Sequence, residues 1–279
     1  YEMVAKILSE AKVSYIKWDM NRCITECFSV EISSKGQGEV FHRYILGVYD
    51  LYERLITAFP HVLFESCASG GGRFDPGMLY YAPQCWTSDD SDAIERIKIQ
   101  YGTSFVYPIS SMGAHVSVVP NHQVNRITPI KTRGNVAFFG AFGYELDLNK
   151  LSEEERREVR KQIAFVKEYG ELIQKGTFYR LQSPFGNNIA AWMVVSEDKK
   201  TAIVAYFKVL NDVNAPFRRL KLHGLDEGLL YKIEDIGTSH YGDELMNLGL
   251  ITTDPSAGQV IDGSDICTDF WSKLFILKA

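Results

Sequence analysis

Two rhythms of apolar and polar positions divide this chain. Up to about residue 175, short apolar runs alternate with stretches in which apolar residues recur every three to four positions. The first kind of run predicts strands and the second amphipathic helices. On that basis residues 3–10 close a helix, 12–19 form a strand with Val13, Tyr15 and Ile16 buried, and 40–59 form a helix. Its apolar side runs through Phe41, Tyr44, Ile45, Val48, Leu51, Tyr52, Leu55 and Ile56. Residues 61–66 and 83–87 read as strands, and 92–101 as a helix with Asp92 at its N-cap and Glu95 three positions later. Strands are expected over 104–110 and 136–142. Residues 152–175 read as a long helix opened by a Ser152/Glu155 capping box. Gly70, Gly71 and Gly72 predict a loop, since three glycines lose too much backbone entropy on entering regular structure.

Beyond Thr177 the helical rhythm stops. The apolar runs 189–195 and 201–207 flank a Glu197-Asp-Lys-Lys turn, and short strands separated by Gly-containing turns continue to Lys278. The expected architecture is therefore α/β. Residues 1–180 form about five βα units of a parallel sheet covered by helices, and 181–279 a smaller antiparallel sandwich, with the join near Gln182 and Pro184.

Chemistry concentrates at strand ends. Around Asp19, Lys17, Asp19 and Asn21 are spaced two apart and so project from one side of an extended strand, beside Trp18. A carboxylate between a cation and an amide is costly to place without a purpose. The next strand closes on Glu65-Ser-Cys-Ala-Ser-Gly-Gly-Gly-Arg73. The third closes on Gln84-Cys-Trp-Thr-Ser-Asp-Asp90, so Asp89 stands about two βα units after Asp19. Two acidic residues at the carboxyl ends of different strands favour a (β/α)8 barrel over an open sheet. Asp19 reads as a nucleophile at the carboxyl end of a barrel strand.

These three motifs, in this order, resemble glycoside hydrolase family 36, the retaining α-galactosidases. The likeness is strong over residues 1–185. It implies that Asp19 is the nucleophile and Asp89 the general acid/base, with Asp90 beside it as the alternative. Lys17 and Asn21 match positions that contact sugar hydroxyls, Cys67 and Gly70 positions that line the pocket near the 2-hydroxyl, and Trp86 and Asp90 join them as substrate-side candidates. A small residue at 67 and none at 70 would crowd an acetamido group, which favours galactose over N-acetylgalactosamine. The resemblance also implies that the five βα units are the fourth to eighth of a TIM barrel. The first three, with their sugar-contacting residues, would then be missing, and the isolated chain is expected to be weak or inactive. The family often forms homotetramers, so self-association is expected.

Composition narrows the rest. The chain has 279 residues, 46% hydrophobic and 23% charged, with a net charge of −5. Such a balance speaks against a general nucleic-acid binder, and no apolar run approaches the ~18 residues of a membrane span. The first residue is not Met, which suggests a piece of a longer protein. Five scattered cysteines, at 23, 27, 67, 85 and 267, suggest no disulfide framework and fit a reducing, cytoplasmic compartment. Neither Cys23 with Cys27 nor His115 with His122 has partners at metal-ligand spacing, so no metal is expected. No cofactor is expected either: the glycines at 70–72 are not followed by Lys-Ser/Thr, and no dinucleotide fingerprint occurs. The expected partners are α-galactoside oligosaccharides of the melibiose and raffinose type. The rivals are a related N-acetylgalactosaminidase or galactosyl transferase, and a non-catalytic sugar-binding or structural fragment.

Overall fold

The computed structural model describes residues 1–21, 24–212, 218–252 and 269–279. They divide into two compact units, Tyr1–Asp89 with Ser111–Gly113, and Asp90–Ser110 with Ala114–Ala279.

In the first unit, α1 (Glu2–Glu10) leads to β1 (Tyr15–Asp19), α2 (Val40–Ala58) to β2 (Leu63–Cys67), and α3 (Pro76–Tyr81) to the short β3 (Gln84–Cys85). The three strands form one sheet in the order β1-β2-β3. β1 and β2 run parallel, with Tyr15 opposite Leu63, Lys17 opposite Glu65 and Asp19 opposite Cys67. β3 continues the parallel arrangement, with Gln84 opposite Glu65. Strand parity then sorts the side chains: Tyr15, Lys17, Asp19, Leu63, Glu65, Cys67 and Gln84 share one face, and Ile16, Trp18, Phe64 and Ser66 the other. α2 covers the second face. Its Tyr52 and Leu55, 1% and 0% exposed, pack with Phe64 and Trp18, the Tyr52 ring lying 5.6 Å from both aromatic partners. This parity corrects one expectation. Tyr15 is 43% exposed rather than buried, because it shares the polar face with Lys17 and Asp19, and the inward positions fall to Ile16 and Trp18.

The second unit begins with α4 (Ala93–Thr103) and contains β4 (Gly113–Ser117) from Ala114 onward. It continues through α5 (Ile130–Ala137), β5 (Ala141–Glu145) and α6 (Glu153–Lys175). β4 and β5 pair as a two-stranded sheet. Asp92 caps α4, its Oδ1 accepting from the amides of Ile94 and Glu95 at 3.0 and 3.1 Å. Ser152 and Glu155 form the reciprocal capping box at α6. Two strand expectations fail here. Residues 104–110 are turns followed by a short 3-10 helix, with Phe105 and Val106 63% and 72% exposed; the strand lies later, at β4, among small buried residues. Residues 136–142 are the end of α5 and the start of β5. An unbroken buried apolar run carries no periodicity to separate a strand from a helix buried all round.

The rest of this unit is built on a six-stranded sheet in the order β11-β10-β13-β8-β7-β6. Its strands are β6 (Thr177–Gln182), β7 (Ile189–Val195), β8 (Thr201–Lys208), β10 (Leu230–Ile233), β11 (Thr238–Tyr241) and β13 (Trp271–Lys278). All five pairings are antiparallel. β9 (Arg218–Leu220) and β12 (Leu250–Thr252) form a separate antiparallel pair, with α7 (Gly242–Asn247) just before β12. Leu220 and Leu250 from this pair bury against Ala191, Met193, Tyr206 and Phe275 of the large sheet, which makes two packed layers. The opposite face meets the helical part of the unit: Trp192, fully buried, sits 5.7 Å from the Phe139 ring, and Asn135 donates to Ser272 at 2.8 Å. Every residue of β7 is buried. Covering both faces accounts for its unbroken apolar sequence, each large side chain contributing roughly 1.5–3 kcal/mol.

Candidate active site

The carboxyl ends of β1, β2 and β3 place the predicted residues other than Asp90 in the first unit. Asp19 ends β1 as an exposed carboxylate. Asn21 donates from Nδ2 to Asp19 Oδ2 at 2.9 Å, and its Oδ1 accepts from the Ser69 amide at 2.7 Å. On the adjoining strand Cys67, 3% exposed, stands directly opposite Asp19 in register. Burial pushes that thiol up to about 11, and the neighbouring carboxylate adds to the effect. The sulfur therefore remains neutral through the ordinary pH range.

Behind Cys67 the chain makes a tight loop. Ser69 and Gly70 both adopt left-handed backbone, with φ of +49° and +77°. For Ser69 this conformation is uncommon and costs energy, and the bond from its amide to Asn21 helps to hold it. At Gly70 a Cβ would lie 2.7 Å from Ser88 Cα and 3.0 Å from the Asp89 nitrogen. The loop after β2 thus packs its bare backbone against the segment that carries Asp89, an exposed residue. Arg73 donates to the Met20 carbonyl, tying the far end of the loop to β1.

Lys17 does not reach its charge partner on its own strand. Its ammonium lies 4.0 Å from Glu65 Oε1 and 4.6 Å from the centroid of the buried Trp86 ring, a cation–π contact. A cavity of about 310 Å³ opens beside Asn21, lined by Met20, Phe41, Tyr44, Ser69 and Arg73 among others. Asp90 falls in the second unit and accepts from the Asp92 amide at 3.0 Å. Its neighbour Asp92 is a buried cap that also pairs with Arg126. His115 lies on β4, 3.6 Å from Glu145, and Cys27, Cys67 and Cys85 are free thiols; Cys23 and Cys267 lie outside the described residues. Among the described residues, no cluster of three or more His, Cys, Asp or Glu could hold a metal ion, and no helix is long and apolar enough to cross a membrane.

Sequence reasoning passed over Glu65, which is 2% exposed. It accepts from the Tyr15 hydroxyl and from Gln84 Nε2 at 3.1 Å. The available signal was a lone acidic residue inside an apolar strand, two positions before Cys67.

A parallel sheet with a polar array at its carboxyl ends makes this an α/β protein with a strand-end site, and comparison with known proteins assigns the family. Residues 1–176 match the family described as melibiase, and residues 189–277 the C-terminal domain of glycosyl hydrolase family 36. The chain belongs to glycoside hydrolase family 36. It is 56% identical over 278 residues to the α-galactosidase AgaA of Geobacillus stearothermophilus, spanning all of this chain and 36% of that protein. It is 49% identical over 249 residues to α-galactosidase Mel36A of Lactobacillus acidophilus, covering 89% of this chain and 34% of the relative. The crystal structure of AgaA superposes with a TM-score of 0.92 at 52% identity, over 99% of this chain and 37% of that one. AgaA variants have been solved with raffinose and with stachyose bound. The chain therefore spans about a third of the length of these relatives. Their crystal structures share its mixed helical and sheet-rich organisation.

Proposed function

We propose that this chain carries the reacting residues of an α-galactosidase that removes terminal α-linked galactose from oligosaccharides of the melibiose and raffinose type. The reaction is a double displacement. Asp19 attacks the anomeric carbon while Asp89 protonates the departing oxygen; Asp89 then takes a proton from water, which releases the sugar from Asp19. Asn21 and Cys67 orient the attacking carboxylate, Lys17 and Asn21 contact sugar hydroxyls, and Gly70 and Cys67 shape the space at the 2-hydroxyl. Trp86 closes the wall behind Lys17, and Asp90 supports the segment that carries the acid.

The observation that carries this reading is Asp19 at a strand's carboxyl end, held by Asn21 and flanked by Cys67 while Gly70 seats against the Asp89 backbone, in a chain of this family. The raffinose and stachyose complexes of AgaA support the substrate class. The polar strand-end array also supports placing residues 1–180 as the later βα units of a TIM barrel, with 181–279 as its C-terminal domain. A cytoplasmic homo-oligomer, needing no cofactor and acting on neither nucleic acid nor membrane, completes the proposal. Because the chain spans about a third of its relatives, the 279 residues alone are expected to turn substrate over weakly.

A galactose-configured covalent inactivator tests the centre of the proposal. Mass spectrometry of digested protein should find the label on the peptide containing Asp19. A label fixed on any other residue would overturn the mechanism. Side-by-side assay of p-nitrophenyl α-galactoside and its N-acetylgalactosamine analogue tests the sugar, and faster cleavage of the acetamido substrate would displace galactose.

A further inference from the structure

We propose that Glu65 is a positioning residue that acts through Lys17: its carboxylate holds the Lys17 ammonium over Trp86 at the height where the sugar's hydroxyls arrive. The inference deepens the proposed function and rests on its reading of Lys17 as a sugar contact.

Glu65 sits on the same sheet face as Lys17, directly opposite it in register. It is 2% exposed, and a buried carboxylate needs compensation on both oxygens. One oxygen is well served. Oε2 accepts from the Tyr15 hydroxyl of β1 and from Gln84 of β3, so three neighbouring strands clamp the carboxylate in one rotamer. The clamp is one-directional. Although Tyr15 is 43% exposed overall, desolvation at its hydroxyl and then the adjacent carboxylate hold it protonated well above its ordinary range, and so it stays a donor to Glu65. The other oxygen is different: Oε1 takes no hydrogen bond among the described residues. The cation facing it is Lys17 Nζ, 4.0 Å away, with its side chain 37% exposed. At that distance the ion pair steers without capturing, and the ammonium keeps its hydrogens for an incoming hydroxyl. Trp86 supports it from a second direction. The site thus contains a fixed anion, a half-exposed cation and an aromatic wall in sequence, and the fixed anion is the part that Tyr15 and Gln84 immobilise.

The test is a double-mutant cycle on p-nitrophenyl α-galactoside, carried out in the full-length protein. Glu65→Gln should raise KM on the order of tenfold and leave kcat within about threefold; in a Lys17→Met background the same change should add less than about twofold. Glu65→Asp, which keeps the charge, should recover part of the loss. Tyr15→Phe, which loosens the clamp and spares the carboxylate, should shift KM in the same direction and lose its effect without Lys17. It decides the matter alone if Glu65→Gln does not fold. Losses that multiply independently in the two backgrounds, or an unchanged KM in Glu65→Gln, would overturn the assignment. If Lys17→Met by itself leaves KM unchanged, it is the reading of Lys17 as a sugar contact that fails, and this inference falls with it.

Discussion

Cys67 stands opposite Asp19 on the adjoining parallel strand, and that carboxylate adds to the burial that keeps its thiol protonated. A neutral sulfhydryl is an unusual companion for a carboxylate meant to attack carbon. It flanks the oxygens as a neutral group and leaves them reactive. Replacing Cys67 with Ala should lower kcat about tenfold, since the neighbour that flanks Asp19 shrinks and the carboxylate gains freedom, and should cost only about 1 kcal/mol of stability. Steady-state kinetics set against a thermal melt separate the two effects.

The buried thiols also set an alkaline limit. Cys67 and Cys85 are both pushed from near 9 up to about 11, mainly by burial. The folded chain keeps these protons at pH values where the unfolded chain has released them. Their contribution is therefore complete below about pH 9 and declines as pH rises through about 11. Tyr49 and Tyr144, raised from 10 to about 12, act in the same direction slightly higher. Tm measured from pH 8 to 11 should fall, and a Cys67→Ala/Cys85→Ala double variant should show a shallower decline.

Gly70 has little room for change. A methyl there meets Ser88 Cα at 2.7 Å, on a backbone with φ of +77°. Gly70→Ala should cost about 1–2 kcal/mol from conformation alone and displace the Asp89 segment. A shift on the order of 1 Å in a reacting group costs about a hundredfold in rate. Activity should consequently drop far more than Tm predicts.

Asp92 illustrates the opposite balance. Its single buried carboxylate caps α4 and meets Arg126. Asp92→Ala should destabilise by about 3 kcal/mol or more, read by urea unfolding. KM of the material that remains folded should be unchanged, because the group serves the helix.

What the sequence revealed followed physical periodicity. Lys17, Asp19 and Asn21 could be placed on one face because a strand has a period of two, and Ser152 and Asp92 could be recognised as caps from the residues that follow them. β4 escaped because Gly113, Ala114 and Ser117 are small, and a small buried strand shows no alternation. Residues 136–142 were misassigned because α5 and β5 meet inside one apolar run. Glu65 went unnoticed since its importance lies across strands, in the register that sets it against Lys17, and register is not written in any local window. The same reason hid the exposure of Tyr15, whose hydroxyl belongs to that cross-strand clamp.

The Lys17 ammonium over the indole of Trp86 gives the protein a built-in optical reporter. Indole emission responds to charge held close to the ring, and Trp86 is shielded from bulk water at 4% exposure. A ligand that draws the ammonium away changes the emission of Trp86, over a background from Trp18, Trp192 and Trp271. Occupancy of the pocket can thus be followed by light alone, without turnover and without a label.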